Sequence, residues 1–336
     1  MKISLPAPDY QRWSIRNGLL GSSLLVYLHL CLGGCNTADS NSVKHSPDID
    51  TTVSKITAVN APTKFAEVDG HKIAYRRIGQ GEPLILCSRF RGNLDSWDPA
   101  FLDALAEEHT VVTFNYSGFG SSTGIPPTTM AGFAKDVLDL SASLGYDKFI
   151  IGGWSFGGAV AQNIITEHPE KVSQAILIGT RPPGKISHSF EESFLRVSRI
   201  PHNTLEDEVI LFFEPAWEPS VEAARRSHDR IAQRKEMDAR IDEKVWPDYI
   251  AGFADFTADP YKSREKLCNT RLPIMVISAD HEVCFPPENW FELNRKLPTT
   301  QLVVIPRTGH GVHHEYPELV SQYITSFLRD RQRKLQ

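Results

Sequence analysis

From Thr63 onward the chain alternates between short apolar runs and helix-length stretches. Phe65 to Val68 and Lys72 to Arg76 flank Asp69-Gly70, a dipeptide that favours a tight hairpin. Continuous apolar runs follow at Pro83 to Cys87, Thr110 to Phe114, Phe149 to Gly152, Ala175 to Ile178, Ile274 to Ile277 and Gln301 to Ile305. Stretches such as Ala131 to Leu144 and Gly158 to Glu167 separate them with helical patterning. Strands without polar alternation are covered on both faces, as in a parallel sheet built from βα units. The pattern predicts an α/β fold: an eight-stranded, mostly parallel sheet opened by a hairpin, with helices on both faces.

The alternation stops between Arg181 and Lys266, where no strand pattern appears. Ser220 to Lys244 is charged and helix-forming, with a sparse apolar stripe of Val221, Ala224, Ile231, Ile241 and Val245. We read residues 181–266 as a helical cap inserted over one end of the sheet, and its charges as a solvated face. Its aromatic residues (Phe212, Phe213, Trp217, Trp246, Tyr249, Phe253 and Phe256) fit either an acyl pocket or the cap's own core.

The first 35 residues follow another rule. Lys2, Arg12 and Arg16 precede an uncharged stretch from Gly18 to Cys35 that contains Leu24-Leu25-Val26-Tyr27-Leu28, the layout of an export signal. Leu32-Gly33-Gly34-Cys35 resembles a bacterial lipobox, which implies lipidation at Cys35 and an exported protein anchored to a membrane of the cell envelope. Residues 36–62 are rich in Ser, Thr, Asp and Asn and read as a polar tether. The expected organisation is a signal at 1–35, a tether at 36–62 and a folded domain at 63–336.

Composition refines this picture. The net charge of −5 becomes −7 once the first 35 residues are set aside, leaving 33 bases against 40 acids. Such a balance argues against nucleic-acid binding. Cys87, Cys268 and Cys284 lack metal-type spacing, and one disulfide among them stays open. His310, His313, His314 and Glu315 cluster in sequence but match no metal motif, so no metal is expected.

The chemistry lies at strand ends. Gly153-Trp154-Ser155-Phe156-Gly157-Gly158 is a G-x-S-x-G between a strand and a helix pattern. The glycines are needed because a sharp turn must lift the serine oxygen above the sheet. A serine hydroxyl needs a base and an orienting carboxylate. Asp280 and Glu282 follow one later strand and His310 follows the last, where an open α/β sheet places its crevice.

These motifs, with Gly118-Phe119-Gly120-Ser121-Ser122 and Gly309-His310, resemble the α/β-hydrolase superfamily, specifically its cofactor-free haloperoxidase/esterase-like branch with a helical cap. The likeness spans about residues 66–328. It implies Ser155 as nucleophile and His310 as base, with no cofactor. Register places the acid at Glu282, where the family usually has Asp, and Asp280 is the rival. It further implies oxyanion-binding amides from Phe156 and Phe90. The loop Ser88-Arg89-Phe90 departs from the family's His-Gly start; Arg89 is expected to face solvent, and the alternative is that it places a cation near the site. Asn115-Tyr116-Ser117-Gly118 also lacks the charges that relatives carry there. The implied activity is hydrolysis of a small ester-like substrate through an acyl-enzyme. Perhydrolysis needs the same triad and stays open, as does a non-catalytic lipoprotein that binds a ligand or partner. A carboxylate nucleophile, as dehalogenation requires, is absent from the elbow. Substrate identity and oligomeric state are left open.

Overall fold

A computed structural model describes residues 55–334; the expected signal segment, Cys35 and residues 36–54 of the expected tether lie outside the described residues. Among the described residues no helix is long and apolar enough to cross a membrane.

Eight strands form one sheet: β1 (Lys64–Val68), β2 (His71–Ile78), β3 (Glu82–Cys87), β4 (His109–Phe114), β5 (Phe149–Trp154), β6 (Val172–Ile178), β7 (Ile274–Ala279) and β8 (Thr300–Ile305). Their spatial order is β1-β2-β4-β3-β5-β6-β7-β8. Pairs β1–β2 and β2–β4 are antiparallel and the other five are parallel. The hairpin turns at Asp69 and Gly70, both at positive φ (46° and 79°), as a type I′ turn requires. Burial explains the apolar runs. Every residue of β5 and β7 is buried, because helices cover both faces and leave no solvated side.

The helices are α1 (Pro99–Leu105), α2 (Met130–Ser143), α3 (Phe156–Glu167), α4 (Glu192–Val197), α5 (Leu205–Phe212), α6 (Glu218–Ala232), α7 (Trp246–Ala258), α8 (Ser263–Asn269), α9 (Glu288–Phe291), α10 (Val312–Glu315) and α11 (Pro317–Lys334). Two hydrophobic clusters lie on opposite faces of the sheet. Ile85, Val112, Ile151 and Val276 point to one, with Phe133 of α2 and Val160 of α3; Leu84, Val111, Ile150 and Met275 point to the other, with Phe101 of α1 and Ile324 of α11. This is the strand alternation of a sheet buried on both sides. Helices α4–α8 occupy the interval between β6 and β7.

Two expectations need correction. The packed part begins before residue 63: Ala58 and Ala61 are buried in the second cluster, and Ala58 N–H donates to Asp103 at 2.7 Å. Residues 55–62 therefore belong to the domain. The charged stretch 220–244 is not one helix, and although most of its charges meet solvent as expected, Arg234 is buried and Asp238 half-buried. Helix α6 ends at Ala232, and the following segment is held down by buried polar groups. Arg234 is buried, donates to the carbonyls of Ala58 and Trp97, and stands 3.7 Å from Asp95, which also pairs with Arg76 at 2.6 Å. Asp238 accepts from Asn115 Nδ2 at 2.7 Å and from Leu94 N–H at 3.1 Å. These partners satisfy groups that a helix facing water would leave hydrated.

Candidate active site

Ser155 sits between β5 and α3 at φ 58°, ψ −117°, in a region that β-branched or bulky residues avoid. Its amide donates to Ile178 O at 2.9 Å, which fixes the turn against β6. The flanking glycines are steric necessities. A Cβ on Gly153 would overlap the Gly157 carbonyl, one on Gly157 would overlap the Cys87 carbonyl at the end of β3, and one on Gly158 would press on the Thr180 side chain. The Gly157 approach brings the Ser88-Arg89-Phe90 loop beside the elbow.

His310 occupies the loop between β8 and α10. Trp154 Nε1 donates to its carbonyl at 3.0 Å, and the Gly311 amide donates to Phe212 O at 2.7 Å. The loop is thus clamped between the elbow and the helical insertion. Glu282 follows β7 and lies against the imidazole: His310 Nδ1 is 2.7 Å from Oε1 and 2.8 Å from Oε2. Oε1 also accepts the amides of Cys284 and Phe285 at 2.9 and 3.1 Å. Asp280 is exposed and accepts the Thr308 amide at 3.4 Å. The carboxylate in contact with the histidine is therefore Glu282. With the carboxylate against Nδ1, that nitrogen is the ring's donor to Glu282, and Nε2 is turned away from it.

Ser155, His310 and Glu282 are 6%, 1% and 3% exposed. Ser155 and His310 line one constricted cavity of about 30 Å³ with Phe90, Phe194 and Phe212. Among the described residues, neither the Phe90 nor the Phe156 amide donates to an acceptor. Two unengaged N–H groups beside a serine can stabilise a developing oxyanion.

A second cavity of about 350 Å³ opens from Ser155 and Phe156 into the insertion. Trp246, Tyr249 and Phe253 of the expected aromatic set line it, whereas Phe213 and Phe256 are buried in packing. Phe190, Phe194 and Phe285 also line it. The sequence reading missed these three. The four-residue spacing of Phe190 and Phe194, which stack with centroids 5.6 Å apart, was the available signal.

Arg89 contradicts its expected solvent exposure. It is half-buried, with its guanidinium 5.3 Å from the Trp154 ring and 4.8 Å from the Phe212 ring. Arg91 (φ 60°) ties the same loop to the insertion by donating to the carbonyls of Ser198, Ile200 and Pro201 at 2.7–2.9 Å.

The histidines after His310 are packing groups. His313 is buried among Trp97, Phe101 and Trp154, and burial holds its pKa well below the ordinary value. His314 shares a hydrogen bond with Ser227 at 2.9 Å, and burial lowers its pKa to about 4. Among the described residues no group of three His, Cys, Asp or Glu is arranged to hold a metal, and Cys87, Cys268 and Cys284 are free.

A family model described as the alpha/beta hydrolase fold matches residues 82–317. The chain belongs to the alpha/beta hydrolase family. It is similar to proline iminopeptidase PfmaB of Pestalotiopsis fici, at 27% identity over 79% of this chain and 99% of that one. Among solved structures, an alpha/beta hydrolase fold protein from Chitinophaga pinensis superposes with a TM-score of 0.73 at 25% identity, covering 81% of this chain and 99% of the other. A thermophilic esterase from Thermogutta terrifontis, solved with malate bound, superposes at 0.62 and 26% identity over 80% and 99%. The eight-stranded sheet and the two-sided helical cover are those of this family.

Proposed function

We propose that this alpha/beta hydrolase cleaves carboxylic esters, with Ser155 as nucleophile, His310 as general base and Glu282 as the orienting acid. The observation that carries the reading is the Glu282–His310 contact at 2.7 Å inside the cavity that Ser155 also lines. The esterase from Thermogutta terrifontis, similar over most of both chains, adds support.

In the first half-reaction Ser155 Oγ bonds to the ester carbonyl carbon while His310 Nε2 takes the hydroxyl proton. Negative charge gathers on the carbonyl oxygen, toward the Phe90 and Phe156 amides. The C–O bond to the alcohol then breaks, and the imidazolium returns its proton to the departing alkoxide. In the second half His310 Nε2 takes a proton from water as its oxygen bonds to the acyl carbon; the bond to Ser155 Oγ then breaks, the imidazolium returns that proton to Oγ, and the acid leaves. Glu282 holds the imidazole in place and stabilises the imidazolium that forms. The apolar 350 Å³ cavity seats a hydrocarbon portion of the substrate.

Turnover of 4-nitrophenyl esters of two to eight acyl carbons tests this. Wild-type protein hydrolyses them, and Ser155→Ala lowers kcat at least about a thousandfold with folding intact. Equal rates in the two proteins would remove Ser155 from the chemistry.

A further inference from the structure

Arg89 lies in the loop that leads to Phe90, and its surroundings are unusual for a cation. One guanidinium nitrogen, Nη1, donates to the neighbouring Phe90 carbonyl at 2.8 Å. Nε is buried with no hydrogen-bond partner. Among the described residues Arg89 has no carboxylate within ion-pair distance. Glu208 is the principal acid acting on it from further away, and that carboxylate is 3.4 Å from His228. The aromatic faces of Trp154 and Phe212 flank the guanidinium and fix its plane without neutralising it. Cations withdrawn from water normally have a paired anion; the half-buried Arg89 has none within ion-pair distance.

The position of Arg89 relative to Ser155 supplies the second observation. Arg89 lines the 30 Å³ cavity that Ser155 and His310 also line, and it lines two larger cavities of about 550 and 410 Å³ as well. The aromatic 350 Å³ cavity meets Ser155 as well, and Arg89 is not among its lining residues. Ser155 therefore borders an apolar chamber and a second cavity whose wall bears a guanidinium without a paired acid. An ester that fills both is amphiphilic, with hydrocarbon on one side of the scissile bond and negative charge on the other.

We propose that Arg89 is a substrate-recognition residue and that the preferred substrates are esters carrying a carboxylate on the portion seated toward Trp154 and Phe212. A guanidinium without a paired acid matches a carboxylate through charge-assisted hydrogen bonds. Burial lowers its pKa only to about 10, so the group stays cationic at neutral pH. This assignment rests on Ser155 as the nucleophile.

The test compares 4-nitrophenyl hydrogen succinate with its neutral methyl ester on wild type, Arg89→Gln and Arg89→Lys. Wild type should favour the anionic ester in kcat/KM by about 10- to 100-fold, the range of a charge-assisted hydrogen bond. Arg89→Gln should erase that preference, bringing the ratio of kcat/KM for the two esters close to one, with most of the loss on the anionic ester in KM. Arg89→Lys should restore part of it. Succinate should inhibit wild type competitively and lose its hold on Arg89→Gln, while inorganic phosphate at equal concentration reports whether any compact oxyanion suffices. Equal losses on both esters would overturn the proposal in favour of an oxyanion-stabilising or structural role. So would a wild-type preference for the neutral ester. Failure of wild type to turn over either ester, with Ser155 unreactive to a fluorophosphonate, would instead remove the esterase reading beneath it.

Discussion

Glu282 accepts from three N–H groups at once: His310 Nδ1 and the amides of Cys284 and Phe285. A glutamine there can satisfy the two amides only by turning its own N–H₂ toward Nδ1, which forces the imidazole into the wrong tautomer. Glu282→Gln should therefore lower kcat by roughly 10²- to 10⁴-fold with little change in KM. Asp280→Asn should stay within about twofold, because Asp280 meets solvent and the Thr308 amide rather than the histidine. Steady-state kinetics on one aryl ester separates the two carboxylates, and the reverse ranking would reassign the acid. Register alone pointed to Glu282, since the loop from β7 to Pro286 has a countable length. Arg89 was not legible in the same way. Its environment is made by Trp154 and Phe212, 65 and 123 positions away, and no local pattern records that distance.

The elbow joins three elements through glycines that admit no substituent. Gly157 lets the start of α3 meet the Cys87 carbonyl at the end of β3, and that contact sets the spacing between Ser155 and the Phe90 amide. Gly157→Ala should push α3 away from β3, costing about 2 kcal/mol or more of stability and at least tenfold in kcat. Thermal melts beside ester turnover measure both, and an unperturbed melting temperature would show that the contact is relaxed without cost. At this scale most strands could be read directly, because burial on both faces leaves uninterrupted apolar runs. The segment after α6 could not. Arg234 and Asp238 look like surface charges until Asp95, Asn115 and Leu94 come into contact from other parts of the chain.

The whole domain should also carry a pH signature from Glu315, a buried carboxyl in α10 whose pKa burial raises to about 7. In the unfolded chain a glutamate titrates near ~4.3. Between these values the folded state keeps a proton that the unfolded chain has released, so stability falls as pH rises through this window and levels off above about 7. Urea unfolding at pH 5 and pH 8 should show this loss in wild type, on the order of 2 kcal/mol, and a smaller one in Glu315→Gln. Identical pH slopes would place the titration elsewhere. The family architecture was legible because β-strand order, elbow and catalytic loops recur along the chain in a fixed sequence. The chamber was less so, since Phe190, Phe194 and Phe285 meet only when α4 and the acid loop fold over Ser155. Covalent capture of Ser155 tests the central claim most directly. Intact-mass analysis after fluorophosphonate treatment should show one adduct, peptide mapping should place it on Ser155, and Ser155→Ala should show none. An unmodified folded wild type from mildly acidic to basic pH, or an adduct on another residue, would contradict it.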